Sequence, residues 1–251
     1  MIKFFRKIRQ NLLSEGKIGK YLKYAIGEII LVVIGILIAL SINNWNQLNK
    51  TKKEEKELLT LIQNAIKDDL MDLENASIFI QKEITYADRI LYYLEQKTSS
   101  PDSLLSDFSI LTVNIKNRVS LNQVAIKSFE ENENLISNDT LRYKIIKLYN
   151  ESYSKVESEL ENFKSNLEGI SRPLTKTRFI LPLEAKVDFD SKTIFYPMLP
   201  VNFTVLKKDI EFTNGVKTIR SNQVEHLKGC IQTIKDIQKV YQSIDNELEN
   251  K

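Results

Sequence analysis

The alternation of apolar and polar positions along this 251-residue chain changes character after its first fifth. From Ile29 to Leu40 the sequence is Ile-Ile-Leu-Val-Val-Ile-Gly-Ile-Leu-Ile-Ala-Leu, with no charge, proline or side-chain amide. Extended to Ala25 and Ile42 it covers about 18 residues, roughly 27 Å of helix at 1.5 Å per residue. That length is close to the hydrocarbon thickness of a bilayer. Tyr24 and Trp45 stand at its two edges, where amphipathic rings settle in membranes. The pattern then becomes periodic. Between Gln47 and Gln96 there is no glycine or proline. Leu59, Ile62, Ile66, Leu70, Leu73, Ser77, Ile80, Ile84, Ala87, Leu91 and Leu94 step by threes and fours, with one four-four step between Ile62 and Leu70. This spacing predicts a long helix with one apolar stripe. Its start, Lys50–Glu57, is polar throughout and predicts a solvated juxtamembrane segment.

Three further segments carry weaker periodicity. Ser100-Pro101-Asp102 has the composition of a helix start. Leu104, Phe108, Leu111, Ile115 and Val119 follow it at helical spacing, although Leu111, Val113 and Ile115 also alternate as a strand would. Leu121, Val124, Ala125 and Phe129 predict a short helix, and Glu130–Asn138 a polar loop broken by Leu135 and Ile136. Asp139 is a candidate N-cap for a helix ending at Glu168, with Tyr149, Tyr153, Val156, Leu160, Phe163 and Leu167 as its stripe and Gly169 as its stop. The segment 172–206 holds four of the five prolines; Val187 and Phe189 face Ile194 and Tyr196 across Asp190-Ser191-Lys192, a small hairpin. The last helix is predicted over Asn214–Asn246, with Leu227, Cys230, Ile234, Ile237, Tyr241, Ile244 and Leu248 as its stripe.

The fold expected is all-α: one transmembrane helix, then an antiparallel bundle of about four long helices with a proline-rich or hairpin insertion near 172–206. Amphipathic helices must bury their stripes on one another, though the same repeats would also serve an intermolecular coiled coil. The expected domains are a basic segment at 1–24, a transmembrane helix at 25–45 and an extracytoplasmic helical domain at 46–251.

Charge sharpens this picture. The chain carries +3, but residues 1–24 hold Lys3, Arg6, Lys7, Arg9, Lys17, Lys20 and Lys23 against Glu15 alone, or +6, which leaves −3 for the rest. A basic tail on an acidic domain argues against nucleic acid as partner. Ile2, Phe5, Ile8 and Leu12 fall at helical spacing among these charges, the pattern of an interfacial helix on anionic headgroups; an unstructured basic flank fits equally. The excess of Lys and Arg before the span predicts the N-terminus inside and the C-terminal domain outside the membrane. Ala39-Leu40-Ser41 is also a small-x-small cleavage pattern, but the long patterned leader and the helix continuing past Trp45 favour an anchor.

The run from Phe5-Arg6-Lys7-Ile8-Arg9-Gln10-Asn11-Leu12-Leu13-Ser14-Glu15-Gly16-Lys17, through Lys20-Tyr21-Leu22-Lys23-Tyr24-Ala25-Ile26-Gly27-Glu28-Ile29 and Val32 to Leu40, to Ile42-Asn43-Asn44-Trp45-Asn46 resembles the N-terminal signature of a family of uncharacterised bacterial single-pass membrane proteins. A weaker likeness recurs at Leu135–Arg142. Gln47 departs from the acidic residue usual after that signature. The resemblance implies membrane location and a helical outer domain; it implies no activity.

Candidate chemistry is sparse. One cysteine, Cys230, precludes an intrachain disulfide, and one histidine, His226, excludes sites needing two. His226 and Cys230 share a helix face but are read as structural. Asp68, Asp69, Asp72 and Glu74 are read as a solvated face, because periodicity places most of them away from the apolar stripe. The tyrosines at 86, 92, 93, 143, 149 and 153 are read as core rather than pocket lining. No phosphate loop, nucleophile elbow, cofactor motif or metal-ligand set is present, and a non-enzymatic protein is expected. Glu28, Gly35 and Ala39 lie within about 20° of one line on a helix; this small face with its single charge is a candidate for packing against a second span. The expected partners are the lipid bilayer and another envelope protein or a second copy. The expected role is interaction or scaffolding, with a ligand-sensing receptor subunit as the alternative.

Overall fold

A computed structural model describes residues 18–96, 104–108, 110, 121–180, 186–188, 193–195 and 198–250. Helix α1 spans Ile18–Glu95. By contact the chain divides into two compact units, Met1–Glu55 and Lys56–Lys251.

In the first unit, the most apolar 18-residue window of α1 has a mean hydropathy of 2.8 and no buried residue. The aliphatic side chains from Ile29 to Ile42 are 47–63% exposed on every side of the helix. A helix that is apolar all round belongs in a protein interior or in lipid. None of the described residues covers this stretch, and it is long and apolar enough to cross a membrane.

The second unit is an all-α bundle with minimal strand. Its helices are α2 (Leu104–Asp107), α3 (Gln123–Asn132), α4 (Asp139–Lys147), α5 (Ser154–Asn166), α6 (Arg172–Arg178), α7 (Phe203–Leu206) and α8 (Ile210–Glu249). Side-chain bonds give the direction of each element. Gln63 donates to Asp245, Gln223 donates to Glu83, and Arg220 pairs with Asp88, so α8 runs antiparallel to α1. Arg89 pairs with Asp107 and the Asn122 N–H donates to Asp69, so the segment holding α2 and α3 runs back down α1. Lys144 donates to Ser243 and Ser152 to Asp236, so the α4–α6 run is antiparallel to α8. Among the described residues the result is an up-down-up-down arrangement of four strokes.

Helix starts are capped by short polar side chains. Asn122, Asn138 and Asp209 accept from the N–H groups of Ala125, Leu141 and Phe212, which would otherwise lack partners. Asn138, and not Asp139, caps α4; Asp139 lies in the first turn and pairs with Arg142 at 2.5 Å. Gly169 does not end the third stroke. It sits in a π-helical turn, Leu167–Ser171, and the chain continues as α6 with Pro173 in its first turn, where a missing N–H costs nothing. A second π turn, Leu148–Tyr153, joins α4 to α5. The polar stretch after Phe129 is not loop throughout: α3 extends to Asn132, a 3-10 turn follows over Glu133–Leu135, and Ile136 is fully buried.

The insertion near 172–206 begins after α6. Strands β1 (Phe179–Ile180) and β4 (Leu199–Pro200) pair antiparallel and enclose the hairpin of β2 (Lys186–Asp188) and β3 (Thr193–Phe195), in which Val187 faces Ile194 as the alternation predicts. Phe189, Tyr196 and the expected helix start at Ser100-Pro101-Asp102 lie outside the described residues, as do Leu111, Ile115 and Val119.

The core forms two apolar clusters. One gathers Leu59 to Ile84 of α1 with Phe129, Tyr149, Tyr153 and Cys230 to Ile244. The other gathers Ala87 to Leu94 with Leu104, Phe108, Phe163, Phe179, Phe212 and Ile219. In the second cluster Gly215 lets α8 approach the third stroke: a Cβ there would stand 2.5 Å from Leu174 Cδ1 and 3.0 Å from Ile170 Cγ2. Gly215→Ala is expected to destabilise by about 1–2 kcal/mol, overpacking outweighing the helix-propensity gain. A lower urea midpoint at unchanged slope checks this; a raised midpoint refutes it.

Candidate functional site

The membrane positions singled out from the sequence all lie on α1 or before it. Gly35 and Ala39 are exposed, and a Cβ built on Gly35 meets nothing within 4 Å, so this face is open to a neighbouring helix. Glu28 is half-buried on the same side. Lys23 is exposed. Lys3, Arg6, Lys7, Arg9 and Lys17 lie outside the described residues, and so does the side chain of Lys20.

The acidic cluster on α1 departs from expectation at one residue. Asp68, Asp72 and Glu74 are exposed, but Asp69 is 2% exposed and points into the bundle. There its Oδ1 accepts from the Asn122 backbone N–H at 2.9 Å and its Oδ2 accepts from the Tyr153 hydroxyl at 2.8 Å. Burial pushes the carboxyl up to about 6; the two hydrogen bonds oppose that shift, and the charges of Asp72 and Asp68 add to it. Burial and then the Asp69 charge raise the phenols of both Tyr149 and Tyr153. The rings of Tyr149 and Tyr153 meet edge to face, 5.3 Å apart, and the Tyr149 hydroxyl has no hydrogen-bond partner among the described residues. The π turn aims both tyrosines inward, four residues apart on a widened helix. Position 69 was legible in principle: after Ile62 and Ile66 a three-step lands on Asp69, and the four-four step taken through Leu70 conceals it.

A second polar layer lies further along α8. Gln223, fully buried, donates to Glu83 at 3.0 Å. His226 is 1% exposed, its ring 6.3 Å from that of Phe163. Glu159 reaches across from α5 to Gly229, where a Cβ would lie 1.8 Å from its Oε2, so the carboxylate occupies space that only glycine leaves. Burial raises the Glu159 carboxyl, against the pull of Lys155 at 4.0 Å. Burial and then the Glu159 charge push the Cys230 thiol up to about 12, which keeps it protonated and unreactive. Among the described residues no group of three or more His, Cys, Asp or Glu could hold a metal ion.

On the surface, α4, the π turn Leu148–Tyr153 and α8 border an open groove of about 920 Å3. Lys144, Lys147, Lys235 and Lys239 line it over a floor of Leu148 and Val240. Its acidic lining residue, Asp236, accepts from Lys239, Gln232 and Ser152, and these bonds hold its carboxyl below the ordinary range against the effect of burial. In the sequence these lysines are indistinguishable from any wet helix face; only the pairing of α4 with α8 brings them together.

Residues 28–95 match DUF6090, a family of unknown function. The match takes in the apolar stretch and the remainder of α1, 68 of 251 residues. No curated protein and no solved structure matches the chain.

Proposed function

We propose that the protein is anchored in a bacterial cytoplasmic membrane by the apolar part of α1, with its N-terminus inside, and that its outer bundle is a protein-interaction or scaffolding module without catalytic activity. The supporting observation is the stretch Ile29–Ile42, aliphatic and exposed on every face, a surface that water does not tolerate at this size. The basic collar at 1–24 supports the orientation. Alkaline phosphatase fused to the C-terminus is expected to be active, and green fluorescent protein fused there to be dark. The reverse pattern rejects the orientation, and release of the chain by alkaline carbonate rejects the anchor.

The face of Glu28, Gly35 and Ala39 is the proposed contact with a second span, a copy of this chain or another envelope protein. Small residues let helix backbones approach closely in lipid, and the space around Gly35 is open. Gly35→Leu is expected to weaken association of the span in a membrane two-hybrid assay, while Val33→Leu on the other side leaves it unchanged. Equal signals from both variants and the parent reduce the span to a tether.

A receptor subunit is the second reading, supported by the assignment of Ile18–Glu95 as one helix without a break. Crosslinked membranes separate the two: envelope partners favour scaffolding, and a cytoplasmic kinase or regulator favours sensing.

A further inference from the structure

The lysine-lined groove between α4 and α8 has no place in the reading above. Four ammonium groups and one carboxylate line it, a local charge of +3 on a chain whose residues after position 24 sum to −3. The fold brings this charge together from two sequence-distant elements. Lys144 and Lys147 come from one turn of α4, and Lys235 and Lys239 from one turn of α8. The negative charge inside the groove is already engaged, since Asp236 accepts hydrogen bonds from Ser152, Gln232 and Lys239. At its rim Glu151 stands 3.6 Å from Lys147, both side chains more than half exposed, so this pair is weak. The Lys144 ammonium donates to a neutral hydroxyl, Ser243. Lys235 makes no hydrogen bond or ion pair among the described residues.

We propose that this groove binds a phosphate ester of a polyol, an anion carrying more than one negative charge and no aromatic ring. The four lysine ammoniums can hold phosphate oxygens as point charges. Among the described residues no aromatic side chain lines it, so none offers the stacking surface that a nucleobase would use. Gln238 and Gln242 supply amides that can bond hydroxyl groups. The volume of about 920 Å3 lies in the range of small-molecule sites. The π turn shapes the groove: it directs Tyr149 and Tyr153 to the core and leaves Leu148 and Ser152 on the groove side. Widened turns of this kind recur at binding sites.

The test uses the full chain in phosphatidylcholine nanodiscs, titrated calorimetrically with tripolyphosphate. Saturable binding is expected. The double variant Lys144→Gln/Lys235→Gln is expected to weaken it by about tenfold or more, whereas Lys176→Gln/Lys208→Gln, an equal loss of exposed charge elsewhere, changes it by less than about twofold. Lys235→Gln alone, whose ammonium supports nothing in the fold, is expected to weaken it by about threefold. Absence of saturable binding, or equal losses in the two double variants, overturns the proposal. Glycerol 3-phosphate and vesicles of cardiolipin, whose glycerol headgroup carries two phosphates, are then used as competitors. Displacement by the vesicles alone identifies a lipid headgroup as the source of the phosphate, and displacement by the free ester alone identifies a soluble ligand. Failure of both overturns the assignment to a polyol ester.

Discussion

Replacing Phe212 by alanine is expected to lower stability by about 3–5 kcal/mol, the range for removing a fully buried aromatic side chain. Phe212 is 0% exposed in the first turn of α8, where three elements meet. Its ring lies 5.6 Å from that of Phe179 at the start of β1 and 6.3 Å from that of Phe108 after α2, and those two rings are 4.8 Å apart. Each pair adds attraction beyond buried area. The ion pair of Arg178 with Asp209 at 2.6 Å ties the end of α6 to the cap of the same helix, but it is partly exposed and cannot replace the lost packing. The damage is expected to stay local. Deuterium exchange should rise in residues 104–108, 179–180 and 199–200 while the amides of Ile62–Ile80, in the other apolar cluster, keep their protection. A loss below about 1 kcal/mol, or exchange rising equally in both clusters, would show that the aromatic triad does not hold this end of the bundle together.

Asp69→Asn is expected to stabilise the protein at neutral pH and to leave it unchanged in acid. The carboxyl titrates near 6 in the fold against an ordinary value of 3.8. The folded state therefore holds the proton more tightly than the unfolded state, and stability falls as pH rises between those values. A gap of about two pH units corresponds to about 3 kcal/mol, present in full below pH 3.8 and lost above pH 6. Asparagine keeps both bonds without the charge: its oxygen accepts from Asn122 N–H, and its amide donates to the Tyr153 hydroxyl. Unfolding free energies of the variant and parent from urea titrations should coincide at about pH 3 and differ by about 2–3 kcal/mol at about pH 7.5. Asp209 and Asp236, whose carboxyls are lowered, lose stability in acid, but they do so equally in both proteins and cancel from the difference. A separation that does not vary with pH would refute the assignment. Asp69→Leu should destabilise at either pH, since it strands the Tyr153 hydroxyl and the Asn122 N–H without acceptors.

The apolar stretch, the all-helical class and the hairpin pairing Val187 with Ile194 were determined by sequence alone. Each rests on local information: an uninterrupted aliphatic run, three-four spacing without glycine or proline, and period-two alternation around a turn. The tertiary structure decided the phase of the helices. On α8 the spacing pointed to Leu227, Cys230, Ile234, Ile237, Tyr241, Ile244 and Leu248; Cys230, Ile237 and Ile244 do lie in the cluster, with Val240, but Leu227, Ile234, Tyr241 and Leu248 only flank it, and His226 and Thr233 are buried on the other edge of the stripe. An amphipathic stripe is at least about 100° wide, so several rows fit the same pattern, and the number and position of neighbours select one. For the same reason the sequence placed Leu70 in the core of α1 where the fold buries Asp69. A carboxylate there is tolerated only because Tyr153 and the backbone of Asn122, both distant in sequence, arrive to bond it. The lysine groove also needed both of its walls. Its charges lie about 90 residues apart along the chain, and only the antiparallel pairing of α4 with α8 makes them neighbours.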